Sequence, residues 1–172
     1  MKKIYLANGL FSEADYNYNQ LIEKDLNGIG YTEDTLYVPQ NNKSINDKSK
    51  CANSVAIYDG DTSKLNWCDI IVAVIDGPVI DAGVASEIGW IAGWNNANLN
   101  NPKLILGLCT DSRDGHKTHL VAKDDLLASD FCESQYPYQN LYTIGAIKKY
   151  GKIFGTRSEL IQYIKAIINS VR

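Results

Sequence analysis

The stretch Ile70-Ile-Val-Ala-Val-Ile75-Asp76-Gly77-Pro78-Val-Ile-Asp81-Ala-Gly-Val-Ala-Ser-Glu87-Ile-Gly-Trp90 decides how this chain folds. Its first six residues are apolar and β-branched or small. A run that short and that continuous reads as a strand buried on both faces. Asp76-Gly77-Pro78 stops it. Asp81 then stands where a helix N-cap belongs. Val84, Ile88 and Ile91 follow at helical spacing and mark the buried face of a helix running to about Trp94. The segment is therefore a strand that feeds a helix, with two carboxylates, Asp81 and Glu87, at the junction. In an open α/β sheet, ligands bind outside the carboxyl ends of the strands.

The same alternation continues on both sides. Lys3–Ala7 reads as a first buried strand, broken by Asn8-Gly9. Ser12 caps a helix, with Asp15 three residues on and Tyr18, Leu21, Ile22 and Leu26 on its apolar face. Thr35–Val38 reads as a second strand, stopped by Pro39. The polar stretch from Gln40 leads into a weak helix over about 49–58. Asp59-Gly60-Asp61 interrupts that helix, and Asp61 caps a short turn through Leu65. Asn95 to Asn101 reads as a loop and Lys103–Leu108 as a further strand. A polar loop over 110–119 follows, then a less regular stretch to Tyr138. Leu141–Tyr150 reads as a helix ended by Gly151, and Lys152–Phe154 as a last short strand. Thr156-Arg-Ser-Glu159 forms a capping box before a helix over Leu160–Val171. There is no internal repeat or linker. The expectation is a single α/β domain over residues 1–172, with a mainly parallel sheet and helices on both faces.

Bulk properties narrow the function. A chain of 172 residues is large enough for a full core, and its formal net charge of -3 argues against a nucleic-acid or membrane-surface partner. No apolar run approaches the roughly 20 residues of a membrane span. The opening Met-Lys-Lys runs directly into a strand, so no secretory signal is expected. Cys51, Cys68, Cys109 and Cys132 are scattered, without metal-site spacing, and read as reduced, packed thiols of a cytoplasmic protein. The glycines at 77, 83 and 89 do not form a dinucleotide fingerprint, and no phosphate-binding P-loop is present. No cofactor and no metal are expected. His116 and His119 share one polar loop without a nucleophile motif and read as solvated surface.

Candidate chemistry then rests on carboxylates. A Glu beside an apolar stripe is rarely buried without a partner. Tyr5, at the end of the first strand, is either a core side chain or a group that orients such a carboxylate. Taken singly, Asp61 and Asp81 read as helix caps. Together with Glu87 they cluster at the carboxyl side of the central strands. Carboxylates plus a tyrosine, without metal ligands, suit glycosyl transfer. One carboxylate attacks the anomeric carbon and a second acid protonates the leaving group.

These residues resemble the nucleoside 2-deoxyribosyltransferase family. The resemblance runs through Tyr5 with Ala7-Asn8-Gly9, Tyr37-Val-Pro-Gln40, Asp61 with Leu65 and Asp69, the signature of Asp81, Gly83, Glu87 and Gly89, and Asn140-Leu141 with Gly145. It implies a flavodoxin-like sheet and a ping-pong, retaining exchange of bases on 2-deoxyribose. By position it implies Glu87 as the nucleophile, Tyr5 holding Glu87, and Asp61 protonating the departing base. It also implies Asp81 on a sugar hydroxyl, Asn140 on the 5′-hydroxyl, and Gln40 and Gly9 as further substrate contacts. The partners implied are a deoxynucleoside and a free nucleobase. The assembly implied is a homo-oligomer, a dimer or a trimer of dimers, with active sites shared between subunits. Two other readings fit the residues. One is a hydrolase of deoxynucleosides or their 5′-monophosphates on the same scaffold. The other is a nucleoside-binding module without catalysis.

Overall fold

The computed structural model describes residues 1–42, 53–111 and 139–170. The loop carrying His116 and His119, the cysteines Cys51 and Cys132, and the expected helix start near residue 49 lie outside the described residues. Five strands form one parallel sheet: β1 (Ile4–Ala7), β2 (Leu36–Tyr37), β3 (Ile70–Val74), β4 (Leu104–Leu108) and β5 (Gly151–Phe154). Their order is β2-β1-β3-β4-β5. This is the flavodoxin-like doubly wound order, and its switch point lies between β1 and β3, where the chain turns to opposite sides of the sheet.

Among the described residues, four α-helices lie between the strands, α1 (Glu13–Asn27), α2 (Ser54–Trp67), α3 (Ala82–Ala97) and α4 (Leu141–Tyr150), and α5 (Arg157–Ser170) follows β5. A 3-10 turn, Pro39–Asn41, follows β2. Strand side chains alternate between two cores. Ile4, Leu6, Ile70, Val72, Leu106 and Phe154 pack with Ile22 and Leu26 of α1 and Leu160 and Ile164 of α5. Tyr5, Ala7, Ile71, Ala73 and Ile105 pack on the other face with Leu65 of α2, Val84, Ile88 and Ile91 of α3, and Ile144 and Ile147 of α4. Every residue of β1 and β3 is buried, as a sheet covered on both faces requires.

Local signals account for most boundaries. The Ser12 hydroxyl accepts from the Asp15 amide at 3.0 Å, capping α1. The Asp81 carboxylate accepts from the Gly83 and Val84 amides at 2.8 and 3.1 Å, capping α3. Thr156 caps α5 by accepting from the Glu159 amide at 3.2 Å. Gly77 takes a φ of 97°, so the turn that leaves β3 needs its glycine. Gly151 opens β5 against β4 so closely that a Cβ there would sit 1.7 Å from the Ile105 carbonyl oxygen.

Three expectations need correction. Asp59-Gly60-Asp61 does not interrupt a helix: α2 runs through it, capped at its start by Asn53, whose side chain accepts from the Ala56 amide at 2.9 Å. Asp61 is therefore no cap. Leu21 is exposed, and the buried polar residue on α1 is Asn19. Finally, α3 continues past Trp94 to Ala97, because Asn95 is buried and bonded to the backbone of Lys103, leading into β4.

Candidate active site

A cavity of about 750 Å³ opens at the carboxyl ends of β1 and β3, at the switch point. Five of the expected site residues line it: Gly9, Gln40, Asp61, Asp81 and Glu87. They arrive from four segments. Gly9 follows β1, Gln40 sits in the turn after β2, Asp61 projects from α2, and Asp81 and Glu87 belong to the start of α3. The topology brings them together because three parallel strands end on the same side.

Tyr5 completes the group from below. Its ring is fully buried, and its hydroxyl donates to Glu87 Oε1 at 2.5 Å. Tyr5 is at once a buried core side chain and a hydrogen-bond donor to a carboxylate. Burial raises the Tyr5 phenol far above its usual range, and the Glu87 charge adds to that. Tyr5 therefore stays protonated and serves as a donor. Glu87 sits one turn after Val84, with the buried Ile88 beside it. Burial pushes its carboxyl up to about 7, against the Tyr5 hydrogen bond, which lowers it. The charges of Asp61 and Asp81 add to the rise. Near neutral pH, Glu87 is thus poised between carboxylate and acid.

Asp61 is half-buried. Burial raises its carboxyl, and a hydrogen bond from the Tyr37 hydroxyl to Oδ1, at 3.4 Å, lowers it. Asp81 spends Oδ1 on the α3 cap and still lines the cavity. Asn140 is the exception. It caps α4, accepting from the Tyr142 and Thr143 amides at 3.0 and 3.2 Å, and it does not line the cavity of its own chain.

Two further residues shape this site, and the first, Asn19, was not singled out in the sequence. Asn19 is 3% exposed. Its Nδ2 donates to the Gly9 carbonyl at 3.0 Å and to Gln40 Oε1 at 2.8 Å, and its Oδ1 accepts from Asn8 Nδ2 at 2.8 Å. It ties together the segments after β1 and β2 that form one wall. A lone Asn amid an apolar helix face was the available signal. Tyr37 is the second. It is the register partner of Tyr5 on β2, and the two rings lie 5.3 Å apart. Phe11, Tyr16 and Ile57 add an apolar, partly aromatic lining to the cavity. Among the described residues, no group of three or more His, Cys, Asp or Glu is placed to hold a metal ion. Nor is any helix there long and apolar enough to cross a membrane.

A family model described as nucleoside 2-deoxyribosyltransferase matches residues 4–131. The chain belongs to this family. Among solved structures it is similar to a conserved protein from Enterococcus faecalis V583, with 38% identity, a TM-score of 0.72, and coverage of 96% of this chain and 98% of that one. Two deoxyribosyltransferases share its fold at 18% identity. One, from Bacillus psychrosaccharolyticus, has a TM-score of 0.56 over 92% of this chain and 90% of its own. The other, from Leishmania mexicana, has a TM-score of 0.62 over 96% and 98%. At that identity the likeness concerns the fold. No curated protein matches the chain. The deoxyribosyltransferase family model covers β1 to β4, and so every lining carboxylate of the cavity; Asn140 lies beyond it.

Proposed function

We propose that this chain is a nucleoside 2-deoxyribosyltransferase that exchanges the base of 2′-deoxyribonucleosides through a glycosyl-enzyme ester on Glu87. The observation that carries the reading is the Tyr5–Glu87 hydrogen bond at the floor of a cavity that also holds Asp61. The Glu87 carboxylate attacks C1′ of the deoxyribose. The C1′–N bond breaks, and its electron pair leaves with the base. Asp61 supplies the proton that the departing base takes up. A second base then attacks C1′, displaces Glu87 and returns a proton to Asp61. Two inversions give net retention. Tyr5 holds the attacking oxygen in place, which lowers the entropic part of the barrier.

The cavity suits both halves of such a substrate. The aromatic wall of Phe11 and Tyr16 offers stacking surface to a nucleobase, and Gln40 an amide for its edge. Asp81 lies beside Glu87 in sequence and in the cavity, where a sugar hydroxyl can donate to it. Asn140 stands exposed at the head of α4, outside its own chain's cavity. That placement suits a role on the 5′-hydroxyl in the site of a neighbouring subunit of a homo-oligomer.

The test is chromatography of the pure protein with 2′-deoxyinosine, with and without adenine. Release of hypoxanthine in step with 2′-deoxyadenosine, and only when adenine is present, is the expected result. Free deoxyribose formed at one rate regardless of adenine would make the chain a hydrolase. Absence of turnover on this donor, on pyrimidine donors and on the 5′-monophosphate would leave a binding module.

A further inference from the structure

Two tyrosines stand side by side, each with its hydroxyl on a carboxylate that lines the cavity. Tyr5 and Tyr37 are register partners on the parallel strands β1 and β2, so their side chains leave the sheet on the same face. Their rings pack at 5.3 Å, tilted by 43°. Each hydroxyl reaches a different carboxylate: Tyr5 donates to Glu87 Oε1 and Tyr37 to Asp61 Oδ1. We infer that Tyr37 is the positioning residue for Asp61, as Tyr5 is for Glu87, and that it orients the carboxyl that hands its proton to the departing base. The inference deepens the transferase reading of the cavity and rests on it.

Three observations support it. Asp61 lies in the middle of α2, where the backbone amides are already engaged within the helix, so the main chain cannot hold its side chain. The Tyr37 hydroxyl has one proton, and Asn42 Nδ2 donates to its oxygen at 2.9 Å. With its oxygen accepting from Asn42, the phenol proton goes to Asp61. The ring itself is clamped, with Tyr5 on it and the Lys64 ammonium 5.2 Å from its centroid. Tyr37 thereby engages Oδ1 of Asp61 and leaves Oδ2 to carry the transferable proton. The 3.4 Å contact is long for a hydrogen bond, as catalytic contacts often are before substrate closes the site.

The experiment compares wild type with Tyr37→Phe, which keeps the ring and removes only the hydroxyl. The carboxyl carbon of Asp61, assigned by its loss in Asp61→Asn, is followed by NMR across a pH titration. In Tyr37→Phe its midpoint should move up, because the hydrogen bond that favours the carboxylate is gone. An unmoved midpoint overturns the inference. Kinetics supply the second readout. With 2′-deoxyinosine, kcat should fall about 10-fold with KM within about twofold. With 7-methyl-2′-deoxyguanosine, whose base departs neutral without needing a proton, the loss should stay within about twofold. Equal losses on both donors would mean a merely structural role. Should Tyr37→Phe fail to fold, Asn42→Ala carries the same two readouts, with smaller shifts in the same direction. Wild-type protein that exchanges no base would count against the transferase reading, while the titration would still decide the Tyr37–Asp61 contact.

Discussion

The two ends of the sheet differ in how they hold some of their polar and charged groups. At the amino-terminal end, polar side chains are matched. Asp69 accepts from the Lys3 amide at 2.7 Å. Asn95, fully buried, donates to the Lys103 carbonyl at 2.8 Å and accepts from the Lys103 amide at 2.7 Å. The Lys103 ammonium donates to the carbonyls of Asn66 and Cys68 at the end of α2 and lies 4.9 Å from the centre of the Trp94 ring. Such an arrangement stabilises a helix C-terminus and joins two strands to two helices. At the carboxyl end, three carboxylates face one cavity, and burial raises two of them, Asp61 and Glu87. One end of the sheet holds the fold together. The other keeps charge in an environment that disfavours it, which costs stability.

If that division is real, the largest effect belongs to Glu87→Gln. The amide keeps the size of the side chain and an acceptor for Tyr5, but it cannot form the ester. Base exchange should fall by about 10⁴-fold with an unchanged far-ultraviolet circular dichroism spectrum. Activity within about tenfold of wild type would remove Glu87 from the nucleophile's role.

At the opposite end, Asn95→Ala should cost about 3 kcal/mol, because it leaves both backbone groups of Lys103 without their partner in a buried setting. Denaturant unfolding measures the loss, and kcat per folded molecule should stay within about twofold. A matching drop in kcat would show that the two ends are coupled after all.

The smallest effect is a pH dependence of stability. The Glu87 carboxyl is raised from 4.5 to about 7 in the folded protein. Between those values the folded state binds more protons than the unfolded one, so stability falls as pH rises through that window. Glu87→Gln lacks this titration. It should unfold later than wild type at pH 8, by on the order of 2 kcal/mol, and the gap should close below about pH 4.5. A gap that is constant with pH, or reversed, would mean that Glu87 is not disfavoured as a carboxylate.

Much of the architecture was legible because its signals are local. The run 70–75 is apolar over a strand's length, and Asp81, Ser12 and Thr156 cap from within a few residues of the helices they start. Those signals survive folding because the groups that satisfy them are close in the chain. The misread helix shows the converse. Asp59-Gly60-Asp61 looks like a break, and a glycine inside a helix costs about 1 kcal/mol. The helix continues because Leu65 is buried in the core and Lys103, far along the chain, closes its last turn. No local window contains both ends of that contact. Asn19 was overlooked for the same reason: its partners come from the segments after β1 and β2.

The chain's periodicity and caps were enough for a parallel α/β sheet, and its spacing of Asp81 and Glu87 on one helix start was enough to nominate both. They set these features because strand, helix and cap depend on neighbours in the chain. The family resemblance already implied Tyr5 beside Glu87, but the pairing of Tyr37 with Asp61, and the burial that lifts both carboxyls, came only with the tertiary structure. Hydrogen-bond geometry and desolvation depend on distance in space. The order β2-β1-β3 brings together side chains that lie up to 82 residues apart in the sequence.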